Sequence, residues 1–332
     1  MSTATSGTTA PPSGDSRPGT IDAVPVRHPG RWVALAVIAV LVALLVDLVL
    51  TNPAFNWSFV FQAMIQSPVL RGLVMGTLLC TVLSMIVGVL FGVVLAVMRL
   101  SENPVLSWTA WVFTWFFRAV PRYVLLFIMG TLGILYPQGL GIGVPFGGDL
   151  NHLLGLSGTW TFFTLDANQI FGGIFGGVIG LGLSEAAYMA EIARAGILSV
   201  DPGQREAACA LGMSSGKAMR RIVLPQAMRV IVPPTGNETI AMVKDTSLLI
   251  AVPVSTELFF QLQSIGSRTY QTFPVAVAAV LWYLLICSVL MIVQSRLEAH
   301  FGRGFGSRAP DSPQRGLRAR VLGLTGGGGG VR

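Results

Sequence analysis

Long apolar runs separated by short polar punctuation dominate the chain. The first, 32–50, is interrupted only by Asp47 near its end. A second covers about 73–97 and carries Gly88 and Gly92 at G-x-x-x-G spacing. A third joins 105–117 to 123–135 across Arg118-Ala119-Val120-Pro121-Arg122. Pro121 has no backbone donor, so a helix must break or begin there. A fourth covers about 170–197, with Gly172, Gly176 and Gly180 on one face where a neighbouring helix can approach closely. A fifth is expected over roughly 240–254 and a sixth over 273–293. A hydrocarbon core about 30 Å thick takes roughly 20 helical residues. The pattern therefore predicts an all-α fold, a polytopic membrane helix bundle of about six transmembrane helices.

Composition excludes the soluble alternative. Hydrophobic residues make up 52% of the 332 and charged residues only 11%, against about 25% charged in soluble domains. Residues 1–30 are rich in Ser, Thr, Pro and Gly and read as a disordered tail. They are too long and polar for a signal-peptide n-region, and no A-x-A site follows the first run, so that span is retained. The stretch 136–168 is loop-like. Beyond His300 the chain is Arg- and Gly-rich and is again expected to be disordered.

The net charge of +7 flanks apolar runs, which orients membrane proteins and does not indicate nucleic-acid binding. The N-terminal tail, the 99–122 loop, the 194–229 segment and the C-terminal tail hold 19 of the 22 Lys and Arg residues. Positive charge stays cytoplasmic, which places both termini and the polar 199–234 segment inside. Cys80, Cys209 and Cys287 are far apart, as are His28, His152 and His300, so neither a disulfide framework nor a metal site is expected.

The polar segment predicts one short helix with marked ends. Asp201 is a good N-cap, Pro202 suits the first helical position, and Gln204 stands where a capping box takes Glu or Gln. The helix runs to about Leu211, and Gly212 supplies a left-handed stop. Such a helix is marginal alone and needs a packing partner. Its Ala207, Ala208, Ala210 and Leu211 surface suits either the chain's own bundle or a groove in another protein. Gly212 to Ala218 superficially resembles a phosphate loop. Its glycines are one residue too close, however, Ala218 replaces the Ser/Thr that would hold magnesium, and no buried strand precedes it.

Glu206-Ala207-Ala208, Gly212 and, after nine residues, Ile222-Val223-Leu224-Pro225 resemble the EAA signature of ABC importer permeases at every fixed position. The flanks Ala187-Tyr188-Met189-Ala190-Glu191-Ile192, Gly203-Gln204, Leu224-Pro225-Gln226-Ala227 and Lys244-Asp245-Thr246-Ser247-Leu248 resemble the polar amino-acid (histidine/glutamine/glutamate/arginine) branch. Phe117-Arg118-Ala119-Val120-Pro121 is similar to that branch's F-R-x-x-P element. The resemblance covers about 70–300. It implies a permease domain over 70–298, after an extra N-terminal helix and extracytoplasmic loop at 31–69 outside the family's five-helix core, with tails at 1–30 and 299–332.

The resemblance also implies partners: two ABC ATPase subunits, a second permease subunit (identical or homologous), an extracytoplasmic amino-acid-binding protein, and the lipid of the bacterial inner membrane. The chain itself would bind no cofactor and catalyse nothing, ATP and Mg being used by the partner ATPase. By the resemblance, Gly203, Gln204, Glu206, Ala207, Ala208, Leu211, Gly212, Leu224 and Pro225 form the coupling region. Two departures stand out. Ser184-Glu185 occupies the place of Asn-Ser in many relatives, and the loop at 137–168 is long.

Ionisable groups within spans are costly and are functional hypotheses by default. Glu185 lies past mid-membrane on the fourth span. It admits two roles, a carboxylate on a water-filled path pairing with a cationic group, or a salt bridge to Lys244. Glu191 and Lys244 are expected to form an ion pair holding helices in register. Lys244 and Asp245 point to different sides of a helix. Tyr188 completes the set near the path. Arg118 would satisfy carbonyls freed by Pro121 or anchor to headgroups. Lys217, Arg220 and Arg221 form one basic face, for anionic lipid or an acidic ATPase rim. An ion-driven secondary transporter is the competing class, but no repeat relates the two halves. A membrane-embedded enzyme would need a nucleophile, acid or metal set that the chain does not show.

Overall fold

The computed structural model describes residues 29–144, 160–252 and 254–301. The tails expected at 1–30 and 299–332, apart from their innermost residues, and the middle of the long loop lie outside the described residues. The chain divides into two units, Met1–Pro53 and Ala54–Arg332.

The first unit contains α1, Pro29–Thr51. It is apolar all round, as a single lipid-facing crossing requires. Its last turn closes on the Thr51 hydroxyl, which donates to the Asp47 carbonyl at 2.7 Å.

The second unit is a helical bundle. After α2 (Trp57–Met64) comes a single long helix, α3 (Ser67–Arg99), widened to a π-helix over Gly72–Leu78. Helix α4 (Pro104–Ala119) starts at an Asn103 cap and ends at Pro121, and α5 (Arg122–Leu135) leaves at 99° to it. The expected break is present, and its angle makes the third run a bent pair. Two short antiparallel strands, β1 (Leu140–Gly143) and β2 (Thr161–Leu165), stand where only a loop was expected. A short α6 (Ala167–Phe171), capped by Asp166, leads into α7 (Gly173–Leu198). Then follow α8 (Pro202–Ala210), α9 (215–245), a 3-10 turn Thr246–Ala251, α10 (Leu258–Thr269) and α11 (Thr272–Phe301).

Among the described residues four helices are long and apolar enough to cross a membrane, or five if the bent pair counts as one. The fifth span expected over 240–254 is not a separate helix. Its first residues end α9, the backbone tightens to 3-10 geometry from Thr246, and the chain turns before α10. Thr246 anchors this change, because its hydroxyl donates back to the Val243 carbonyl at 2.8 Å.

The bundle centres on α3 and α7, which lie side by side and run in the same direction. Gly88 faces Glu185 and Gly92 faces Met189. An added Cβ at these glycines would lie 2.6 Å from Glu185 Cγ and 2.5 Å from Met189 Cβ. The G-x-x-x-G stripe thus brings two backbones together, as small residues do in lipid. Cys80, Met85, Leu126, Leu181, Met189, Met242 and Leu249 fill the core between α3, α5, α7, α9 and the 3-10 turn. A second core joins α2, α10 and α11 through Val60, Ala63, Leu258, Leu262 and Ala278.

Candidate functional site

Helix α8 has the ends that its sequence specifies. Asp201 Oδ1 accepts from the Gly203 N–H at 2.7 Å, Pro202 opens the helix, and Gly212 stops it at φ +80°. The closing bonds run from Gly212 N–H to the Cys209 carbonyl and from Met213 N–H to the Ala208 carbonyl. Of the alanine surface only Ala208 is buried against the chain. Glu206, Ala207, Ala210 and Leu211 are exposed, and Leu211 reaches 85%. The rest of the chain leaves Leu211 uncovered. Above α8, a cavity of about 980 Å³ opens against α3, α7 and α9, lined by Val93, Val97, Ile197, Arg205, Glu206 and Cys209. Leu224 and Pro225 continue α9, and Lys217, Arg220 and Arg221 are exposed. Arg220 and Arg221 lie in a π-turn, Met219–Val223.

The second constellation lies at the centre of the bundle. Glu185 is 12 residues into the 26 of α7, so by rise it sits near the helix middle, about 18 Å from its start. It is fully buried. Its partner is Arg122, the first residue of α5, whose Nη2 donates to Glu185 Oε2 at 2.9 Å. Arg122 Nη1 donates to Asp245 Oδ2, and Glu238 Oε2 lies 4.0 Å from Nη2. The same guanidinium stacks over Tyr188, 4.8 Å from the ring centroid, with Arg118 at 5.7 Å from that ring. Helices α5, α7 and α9 are thus tied together through one side chain. Among the described residues no three His, Cys, Asp or Glu are grouped closely enough to hold a metal ion. A guanidinium spans the wider gap because its donors fan out.

These contacts correct several expectations. Glu185 pairs with Arg122, not Lys244. Lys244 is exposed, turned about 100° around α9 from the half-buried Asp245, as adjacent helical positions are. Glu191 is bound by Arg194 on its own helix, at 2.8 and 3.0 Å, with Arg99 of α3 at 3.9 Å. It too makes no pair with Lys244. Arg118 lies over Tyr188 and does not serve the carbonyls freed by Pro121. Arg122, counted in sequence among the loop cations, is the centre of the cluster. A cation directly after a proline between two apolar runs was the available signal.

A third polar centre has no counterpart in the sequence reading. Glu257 is fully buried and caps α10, accepting from Phe259 N–H at 2.6 Å and Phe260 N–H at 3.1 Å. Its other oxygen accepts from Thr77 Oγ1 at 2.8 Å and Tyr283 Oη at 2.9 Å, with Thr246 Oγ1 at 3.5 Å. One carboxylate thus joins α3, the 3-10 turn, α10 and α11. Gly76, in the π-turn of α3, makes room for it, because a Cβ there would be 2.2 Å from the Thr256 carbonyl oxygen.

Comparison with known proteins places this geometry. The model of the binding-protein-dependent transport system inner membrane component family matches residues 88–303. The arginine transport system permease protein ArgU of Corynebacterium glutamicum is 44% identical over 295 residues, 89% of this chain and 87% of that protein. The histidine/lysine/arginine/ornithine transport system permease protein HisM of Salmonella typhimurium is 35% identical, over 61% of this chain and 77% of its own. A solved amino acid ABC transporter crystallised with histidines superposes with a TM-score of 0.53 at 29% identity, covering 70% of this chain and 94% of that one. A bacterial ABC transporter involved in alginate import shares the fold alone, with a TM-score of 0.51 at 11% identity, covering 82% and 98%.

Proposed function

The chain belongs to the binding-protein-dependent transport system inner membrane component family and is a multi-pass inner-membrane permease of an amino-acid ABC transporter, and from that premise we propose that its cargo is a cationic amino acid. The observation that carries this reading is the charge set at the bundle centre, where Glu185, Asp245 and Glu238 surround a single guanidinium. Named relatives that carry arginine, or histidine, lysine, arginine and ornithine, support it. Glu185, Tyr188 and Asp245 would face the path. Glu191 and Lys244 would serve helix packing and surface roles.

Members of this family work with an ATPase and a binding protein. In the full assembly proposed here, two ATPases lie beneath two permeases, identical or homologous, with both termini on the ATPase side. ATP and Mg would belong to the ATPase, and this chain would catalyse no reaction. The exposed face of α8, with Glu206, Ala207 and Leu211, would dock in a cleft of the ATPase. Gly203 and Gln204 form the first turn of α8, Ala208 seats it on the bundle, Gly212 ends it, and Leu224 and Pro225 lie in α9, which would carry the motion on. A nearly complete switch between outward- and inward-facing states, 1:99 to 99:1, needs about 5.5 kcal/mol of differential binding, delivered through that contact.

Co-purification with the ATPase, followed by hydrolysis assays in lipid nanodiscs with the binding protein present, tests both parts. Stimulation by arginine, lysine or ornithine above that by glutamine or glutamate is expected. A permease that purifies without an ATPase, or responds only to acidic or neutral amino acids, would overturn the proposal.

A further inference from the structure

The arginine at the centre of the cluster is not placed like an ordinary structural ion-pair partner. Three carboxylates converge on it, while the second guanidinium nearby, that of Arg118, lies over the Tyr188 ring and within ion-pair distance of none of the three. Glu185 is fully buried, and while its Oε2 is bound by Arg122, its Oε1 is buried with no hydrogen-bond partner among the described residues. A buried carboxylate oxygen without a donor is costly and calls for an explanation. The Tyr188 face already lies beside two guanidinium groups, as a cation-binding surface does.

The backbone under Arg122 is equally telling. Val120 (φ −83°, ψ 128°) and Pro121 (φ −57°, ψ 132°) are extended, so Arg122 stands at the 99° turn between α4 and α5. A side chain at such a joint moves whenever the joint does, since hinges absorb their changes in a few terminal residues.

We propose that Arg122 is a tethered stand-in for the cargo: its guanidinium fills a cation site made by Glu185, Asp245, Glu238 and the Tyr188 ring, and a cationic amino acid enters by displacing it. This rests on the reading that the cluster lies on the transport path. Without cargo, Arg122 occupies the carboxylates and keeps α5 tied to α7 and α9. Cargo takes over the acids, supplies Glu185 Oε1 with a donor, and releases α5. Because α9 begins next to α8, the release is passed along α9 to the helix proposed to meet the ATPase. The tether is a competitor, and it weakens apparent affinity by the fraction of time the site stands open.

The test is equilibrium binding of radiolabelled L-arginine to the nucleotide-free permease–ATPase complex in nanodiscs. Arg122→Gln removes the competitor and is expected to bind L-arginine at least about tenfold more tightly than wild type. Millimolar guanidinium chloride should compete with L-arginine in Arg122→Gln, and the uncharged isostere L-citrulline should not. Arg122→Lys keeps a tethered cation and should stay near wild type. Equal or weaker L-arginine binding by Arg122→Gln, or Arg122→Lys binding as tightly as Arg122→Gln, would overturn the proposal. If Arg122→Gln does not assemble, guanidinium chloride during expression and purification must restore the complex, and failure to do so also overturns it. The two readings fail separately. A wild-type complex that takes up no cationic amino acid sinks the cargo assignment, whereas normal uptake with unchanged Arg122→Gln binding sinks the tether alone.

Discussion

Removing the Glu257 carboxylate should unlock the far end of the bundle without touching the charged cluster. Glu257→Ala deletes the α10 cap, worth about 1 kcal/mol. It also deletes two hydroxyl bonds to the buried carboxyl group, from Thr77 and Tyr283, each worth about 1.5 kcal/mol at the upper end of the usual range. The loss is about 4 kcal/mol. At the 2–4 °C per kcal/mol of a domain of 150–250 residues, that lowers the thermal midpoint by about 10 °C. Glu257→Gln keeps the shape and one carbonyl acceptor for the two N–H groups, while its amide can meet the hydroxyls as acceptors. It should cost about a third as much. Tyr283→Phe removes one donor and should lie between wild type and Glu257→Ala. The assay is monodispersity on a size-exclusion column after heating the purified complex, read across the three variants. If Glu257→Ala melts within 2 °C of wild type, or no more easily than Glu257→Gln, the carboxylate does not hold these four elements together.

Other substitutions probe other links. Glu206→Lys on the exposed face of α8 should leave membrane abundance unchanged and abolish uptake, and uptake at the wild-type rate would remove α8 from the coupling role. Gly212→Val forces a β-branched residue to φ +80° where a Cβ meets no other atom, so its cost is backbone strain alone, about 1–2 kcal/mol. Uptake should fall with Val and persist with Asn, which tolerates that conformation. Gly92→Ala puts a methyl 2.5 Å from Met189 Cβ and should cost about 1–3 kcal/mol by overpacking. Gly216→Ala, with open space around it, is the control, and equal melting of the two would contradict the close α3–α7 contact.

What could be read beforehand followed the range of the interactions concerned. The ends of α8 are set by neighbours in sequence, Asp201, Pro202 and Gly212, and they appear where those residues place them. The bend at Pro121 and the closeness at Gly88 and Gly92 are also local consequences of a missing donor and a missing side chain. The ion pairs are not local. Arg122, Glu185, Glu238 and Asp245 come from three helices, and nothing in spacing says which cation reaches a buried acid. Lys244 was the expected partner because it opens the neighbouring span, and the helix instead leaves it exposed. Glu257 escaped notice for another reason. Caps favour Ser, Thr, Asp and Asn, and a glutamate after Ser255 and Thr256 gives no sign that its longer arm will bend back onto the N–H groups of Phe259 and Phe260. The end of α9 was misjudged because apolar residues continue past Asp245 while the backbone does not.

Helix α9 is one rod about 45 Å long from Ser215 to Asp245, and Pro233 and Pro234 sit in its middle. Neither can donate, so the ladder loses two rungs there, and Gln294 of α11 reaches across to the Pro233 carbonyl at 3.4 Å. The rod is therefore stiff at both ends and torsionally soft between them. Its lower half can turn with the docking helix while its upper half, carrying Glu238 and Asp245, is still gripped from α5. In the proposed assembly, work done below would arrive above as twist accumulated across a compliant joint, and the acids would let go only after enough of it had built up.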